Sequence, residues 1–407
     1  MCAWQTSGNV LVALKAETTI GVTVAAVTGA VQLRINDSPG LKLNRAVVQS
    51  EENRADGLRT MGRLGFKTVD GSYNCELSPG GATDVLLEGI MRSTWATAVA
   101  IGLATMTTAT FGTNEVAAAA GDWVGGQGIR VGDVFRITGT DETTNNNKNI
   151  RVTSVTSLTI STPLGSFTAD ASAGSTGTLT ILRKLINGAA PTRRSYQIEQ
   201  YDTDIDLSEV FYGCRCVGFN LSCKPGAMAQ VQYTFQGIDR TALATNTSPY
   251  YTTPDLTTSL GMIADDSTIL QDGVAITSFN GFDLNFSLAA AGEPVIGSLT
   301  TPDIFDNDLT VSGSISGLRD DFDYLTLYDA ETEFSLSILL EEAETDPDSC
   351  LGIYIPRAKI QALSAPVGGG DGAKIETREL MIGPKAAATG HDGTVVAFHS
   401  SEAPYSP

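Results

Sequence analysis

The chain has 407 residues, a length that suits two or three domains, and 42% of them are hydrophobic, enough for ordinary cores. Its 26 basic residues face 46 acidic ones, a net charge of −20 spread along the chain, which argues against tight nucleic-acid binding because phosphate contacts need clustered Lys and Arg. No run approaches the ~20 apolar residues of a membrane helix, and "MCAWQTSGNVLVALKAETT" has no basic stretch leading into a long apolar core, so the usual export signal is not expected.

A long polar loop at 50–62 precedes a strand expected at 64–77, where Ser72, Asn74 and Glu76 alternate with Tyr73, Cys75 and Leu77. "SPGGATDVLLEGIMRSTW" then reads as one amphipathic helix over 82–91. Val85, Leu86, Ile90 and Trp95 share a side, and Thr83 and Asp84 are the expected caps. Residues 104–182 break the pattern. They are rich in Ala, Gly, Thr and Asn, with three short strands expected around a polar loop at 141–149 and linker-like flanks, "TATFGTNEVAAAAGDW" and "ADASAGSTG". This segment reads as an inserted β-domain. Strands resume in "SYQIEQY", where Gln197 and Glu199 lie on the polar side, in "CRCVGFNLSC", and in "AQVQYTFQG", where Gln230, Gln232 and Gln236 alternate with Val231, Tyr233 and Phe235. "KPGA" forms the turn between the last two. One core face and one polar face per strand is the mark of an antiparallel sheet that meets water on one side.

The second half repeats this order: a loop at 289–303, the strand "NDLTVSGSIS", a helix in "LRDDFDYLTLYDA" with Phe322, Leu325 and Tyr328 at compatible spacing, then "EFSLSILLEE", "IYIPRAKIQAL" and "AKIETRELMIG". An acidic loop follows the third strand in each half, "DTDIDLSEV" and "EAETDPDSC". The expected fold is mainly β: duplicated β-sandwich or barrel domains, each with one short flanking helix, plus the small inserted β-domain. The expected boundaries are 1–103 with 183–245 for the first domain, 104–182 for the insertion, 246–384 for the second domain and 385–407 for a C-terminal arm.

The run from "ETTIGV" through "VVQSEENRADGLRTMGRLGFKTVDGSYNCELSPGGATDVLLEGIMRSTW", with "FYGCRCVGFNLSCKPGAMAQVQYTFQGID" after it and the inserted "VGDVFRITG" module, resembles the tail tube proteins of long-tailed bacteriophages. The likeness covers 16–103 and 183–240 best and 275–383 less well, and it rests on motif order. It implies a virion structural protein, assembled in the host cytoplasm, whose neighbouring sheets join into one barrel. Rings of that barrel would stack into a tube, with other tail proteins at its ends, and DNA would pass through the bore without specific binding. With two such domains per chain, a homotrimer makes a pseudo-sixfold ring, with a homohexamer as the alternative. On that reading Ser72, Asn74, Glu76, Gln197, Glu199, Gln230, Gln232 and Gln236 line the bore. The helices pack outside the sheet, the insertion sits on the exterior, and the 50–62 loop (Glu51, Glu52, Arg54, Asp56, Arg59) and the 289–303 loop are candidates for contacts between rings. The alternative is a β-rich tail-tip or surface adhesin that binds glycan.

No catalytic, cofactor or metal site is expected. His391 and His399 lie in a tail read as disordered or strand-exchanging, away from any nucleophile. Six cysteines (Cys2, Cys75, Cys214, Cys216, Cys223 and Cys350) fit a reduced, cytosolic chain, and Cys214 and Cys216 on one strand face lack the second pair a zinc site needs. "VGGGDG" lacks the Lys-Ser/Thr of a phosphate loop and reads as a hairpin turn. "DIFDND" and the acids Glu341, Glu342 and Glu344 read as solvated turns, without Ca²⁺-loop spacing or a visible cleft.

Overall fold

The computed structural model describes the chain except residues 1–3, 7, 26–28, 107–108, 172–176, 189, 245–246, 343–346, 366, 368–371, 385–393 and 404–407. It is mainly β. The first half supplies β1 (Val10–Ala16), β2 (Val31–Leu33), β3 (Gly40–Val48), β4 (Arg63–Glu76) and the helix α1 (Gly81–Met91). The insertion follows, with β5 (Val99–Gly102), β6 (Thr110–Phe111), β7 (Glu115–Ala117), β8 (Val134–Thr138), β9 (Asn149–Arg151), β10 (Ser154–Val155), β11 (Thr159–Ser161) and β12 (Thr178–Ile181). The chain returns through β13 (Arg183–Leu185), β14 (Tyr196–Asp202), β15 (Leu207–Cys223), β16 (Gln230–Gly237), β17 (Asp239–Leu243) and β18 (Asp255–Leu256). The second half holds β19 (Thr268–Gln271), β20 (Val274–Ala275), β21 (Phe279–Gly292), β22 (Ile304–Leu318), α2 (Asp323–Asp329), β23 (Phe334–Glu342), β24 (Ser349–Ser364), β25 (Ile375–Ile382) and β26 (Ala397–Ser400).

One order of pairing occurs twice. In the first half β3 pairs β4, β4 pairs β16, β16 pairs the C-terminal part of β15, and β14 pairs the N-terminal part of β15. In the second half β21, β22, β25, β24 and β23 pair in the same sequence. The irregularities recur as well. The β3–β4 register slips between Arg45 and Val47, the β21–β22 register between Leu288 and Ala290. β15 carries a bulge at Val217 and β24 one at Gln361. The shared letters of "TVDGS" and "TVSGS" set Gly71 opposite Leu41 and Gly313 opposite Leu284. Both glycines are required by close approach. A Cβ on Gly71 (φ +156°) would lie 2.1 Å from Gly40 O, and one on Gly313 would lie 2.7 Å from Leu284 Cδ2.

The core sits on the apolar faces of these sheets and runs through both halves, from Leu14 and Phe219 to Phe286, Leu340 and Phe398. Leu86 and Ile90 of α1 are fully buried in it, as their spacing predicts. The caps differ from expectation. Gly80 begins α1 with no side-chain cap; Asp84 is buried against Arg183 at 2.8 Å, and Thr83 accepts from the Tyr233 hydroxyl. α2 is oriented otherwise than its spacing suggests. Tyr324 and Leu327 pack on the core, Tyr324 beneath the Arg378 guanidinium at 3.2 Å, while Phe322, Leu325 and Tyr328 are exposed.

The insertion has two four-stranded sheets around its own core, in place of the three strands expected. That core takes in Ile101 and Leu103, so it begins before residue 104, and it includes Phe111, Val116 and Trp123 of the supposed linker. It is docked on the second half. Arg151 donates to Thr268 O and Ser337 O (both 2.9 Å), Asn149 donates to Glu341 Oε1 (2.8 Å), and the Tyr354 ring covers Gly132 so closely that a Cβ there would lie 2.3 Å away. Burial lowers Arg151 to about 10. The C-terminal segment also departs from the expected loose tail: β26 is a buried strand between β24 and β13, with His399 Nε2 3.2 Å from Asp133. His391 lies outside the described residues.

Candidate functional site

Eight strands form one continuous antiparallel run, β3-β4-β16-β15-β21-β22-β25-β24, with β15 pairing β21 to join the halves. Alternation sorts its two faces. Tyr73, Val231, Phe219, Phe286 and Leu380 point into the core. On the other face Glu76 stands opposite Gln230, Asn74 opposite Gln232, Ser72 opposite Thr234 and Asp70 opposite Gln236. Gln232 Nε2 donates to Asn74 Oδ1 (2.8 Å), and Asn36 Nδ2 donates to Gln230 Oε1 (3.1 Å). The ladder continues the row through Asn220 and Ser222, Asn285 and Asp283, Ser312 and Ser314, to Glu379 and Thr377. All of these are at least partly exposed. Charged members include Asp70, Glu76, Asp283 and Glu379, with Lys42 near one edge and Lys359 near the other. Apart from the exposed Met381 opposite Ser312, the face is mainly hydroxyl, amide and carboxylate, with little to hold a polyanion.

Six of the eight residues expected on such a face lie on it; Gln197 and Glu199 do not. They belong to β14 in the layer with β1 and are fully buried. Gln197 Oε1 accepts from Val24 N (3.1 Å), and Glu199 accepts from Tyr250 N (2.6 Å), Tyr251 N (2.8 Å) and the Ser208 hydroxyl (2.6 Å). Alternation identifies a polar side but not what covers it, and here residues 24 and 250–251 do. The second-half members of the row were missed because Ser312, Ser314 and Thr377 are individually unremarkable; the repeat of "TV-GS" was the signal that could have found them.

Both margins of the run are open. Among the described residues β3 pairs only with β4, and beyond Ala358 the β23 side of β24 has no strand beside it. Gln200 caps the outward edge of β3 at one point, accepting from Leu41 N (3.1 Å) and donating to Leu41 O (3.2 Å). At the internal junction "DIFDND" is no solvated turn. Buried Asp306 meets Arg193 (2.9 Å), Arg215 (3.2 Å) and Arg92 (3.5 Å), and Arg215 also reaches Asp303 (2.9 Å). These arginines come from the first half and the acids from the second, so the junction is a desolvated charge staple.

Because the run is antiparallel throughout, the β3–β4 and β21–β22 connections emerge at the same end. The first, 49–62, is exposed and carries Glu51, Glu52, Arg54, Asp56 and Arg59, with Arg54 paired to Asp56 at 2.6 Å and Val47, Leu58 and Met61 bare beside them. The second is shorter than expected, since β21 runs to Gly292 and β22 starts at Ile304; it exposes Ile296 and returns to β4 through Lys67 N to Leu299 O (2.8 Å). Glu341 and Glu342 end β23 and are not loop residues; Glu344 and most of "VGGGDG" lie outside the described residues. The five described cysteines are free thiols buried from solvent, and desolvation pushes Cys75, Cys216 and Cys350 up to about 12.

No curated protein matches the chain. A family model described as "Phage tail tube protein" matches residues 7–397, and the chain belongs to that family.

Proposed function

We propose that this phage tail tube protein, a structural component of the virion tail, closes into rings of three copies that stack into the tube through which DNA leaves the particle. The observation that carries this is the eight-strand run, polar on one face and open at both margins. An exposed strand edge invites uncontrolled pairing, and closing it on identical neighbours satisfies every backbone group. Three copies give roughly 24 strands; at ~4.8 Å spacing and ~40° tilt the circumference is about 150 Å, an open bore and not a filled core. Ser72, Asn74, Glu76, Gln230, Gln232 and Gln236, with their second-half counterparts, then line a surface past which a polyanion slides uncaptured.

The chain divides into two tube domains, 1–98 with 183–245 and 246–384, with the insertion on the exterior and begun by β5; a single-domain hexamer is disfavoured because the second half repeats the pairings of the first. The loops at 49–62 and 293–303 meet the opposite end of the next ring, where mixed charges set register more than affinity. Assembly takes place in the host cytoplasm. Negative-stain microscopy of the purified chain at micromolar concentration tests the reading: stacked rings with a stain-filled bore are expected, and a dispersed monomer at every concentration overturns it.

A further inference from the structure

The duplication extends beyond the eight-strand run, and it pairs a filled groove with an open one. β1 pairs β2 and β14, and β19 pairs β20 and β23 in the same way. Matched slips, between Tyr196 and Ile198 of β14 and between Phe334 and Leu336 of β23, set Gln200 in the place of Ile338. Val12, opposite Gln200, then corresponds to Ile269, opposite Ile338, and Val10 corresponds to Ser267. Pro39 corresponds to Phe282, each two residues before the leucine that faces Gly71 or Gly313.

These residues line two corresponding grooves. One, of about 410 Å³, lies between β19 and the start of β21 and is lined by Ser267, Ile269 and Phe282. The other, of about 500 Å³, lies between β1 and the start of β3 and is lined by Val10, Val12 and Pro39. The second-half groove is walled by the first half. Cys223 and Pro225, at the end of β15, line it, with Cys223 opposite Phe282. The turn that follows is clasped: Gly226 N donates to Asp265 Oδ1 and Ala264 N to Ala227 O, both at 3.3 Å. In the first-half groove every described lining residue belongs to the first half, and no strand end stands where Cys223 does.

The side chain that fits there is found on β24. Counting six residues on from the bulges at Val217 and Gln361 gives Cys223 in β15 and Val367 after β24. Cys223 is 2% exposed and Val367 is 95% exposed. We propose that the first-half groove is the seat for the end of β24 of the next copy, with Val367 as the inserted side chain. Gln200 fixes where insertion begins. Phe219 and Phe286 face each other inside the chain, and their counterparts at the margins are Leu363 and Leu43. One rung further, the Gln200 amide takes both backbone groups of Leu41. The visiting strand therefore leaves the ladder after Leu43, over the groove that Gln200 lines. α1 reaches across the inner joint to β21, and α2, lying on β24 with Phe322 and Leu325 exposed, is placed to do the same across the outer one. The seat carries the acids Asp37, Asp202 and Glu209, the last paired to Arg240, and no described lining residue is a cation. It accepts an apolar side chain and rejects an acid. Each copy thus offers one seat and one plug, a head-to-tail contact that can close into a ring.

The proposal rests on the ring reading, and the experiment separates the two. Val367→Asp should lower the yield of sedimentable particles at least about tenfold, and Val367→Lys no more than about threefold, because the acids of the seat repel one and attract the other. Both variants should melt as the unmodified dispersed chain does, since Val367 is exposed in a single copy. In a Cys2→Ser background, particles of Pro39→Cys/Val367→Cys treated with a short bis-maleimide should yield covalent dimers and trimers. Thr277→Cys/Val367→Cys offers the lining of the filled groove instead and should not cross-link. Full particle yield from Val367→Asp, equal losses from the Asp and Lys variants, or particles without the Pro39 cross-link overturn the seat and leave the ring reading standing. Failure of the unmodified chain to assemble overturns both.

Discussion

Asp84 shows how one buried carboxyl couples the helix α1 to the strand β13. Desolvation pushes it up to about 6 although Arg183 lies 2.8 Å away and pulls it down. An ordinary carboxylate titrates near about 4, so the folded chain holds this proton more tightly than the unfolded one. The resulting stabilisation is complete below about pH 4 and is lost as pH rises through about 6, an effect on the order of 3 kcal/mol. Chemical denaturation across that range should show a shallower pH dependence for Asp84→Asn than for the unmodified chain, on a lower baseline because Arg183 loses its partner. The cysteines give a second prediction at this scale. With Cys75, Cys214, Cys216, Cys223 and Cys350 buried and their thiols held protonated, iodoacetamide at pH 8 should leave all five unmodified in the native chain and label them only after unfolding, as read by mass spectrometry.

At the scale of elements, the two helices occupy equivalent places with opposite exposure. Leu86→Ala should cost about 2–5 kcal/mol through the cavity it leaves. Leu325→Ala should change the stability of the dispersed chain by less than about 0.5 kcal/mol, yet it should weaken assembly. Thermal melts beside particle yields separate the two effects. Gly71→Ala should be destabilising in either state, because its Cβ would meet the Gly40 carbonyl. The strands and α1 were legible because period-two and helical patterns are local: the strand expected at 64–77 is β4 at Arg63–Glu76, and the helix expected at 82–91 is α1 at Gly81–Met91. What failed depended on tertiary cover. Gln197 and Glu199 looked like surface and are core, Phe322 looked like core and is surface, and β26 looked like a loose arm until its partners β24 and β13 were in place. "DIFDND" could not be read as a staple, because its arginines are contributed by residues up to 214 positions away, as with Arg92 and Asp306.

For the whole molecule, the insertion is tied to the second half by hydrogen bonds from Arg151 and Asn149. Arg151→Met should therefore cost on the order of 1–3 kcal/mol for each carbonyl left unpaired at Thr268 and Ser337, visible as a lowered melting temperature. Both margins of the eight-strand run lie in one chain, so the number of copies needed to close it is a property of the assembly. The rotational symmetry of one tube layer, from averaged electron-microscopy views along the axis, tests that most directly. The account predicts threefold symmetry with six similar sectors of alternating identity around an open bore. Six whole chains in a layer, or a particle whose sheet is sealed within a single copy, would contradict it.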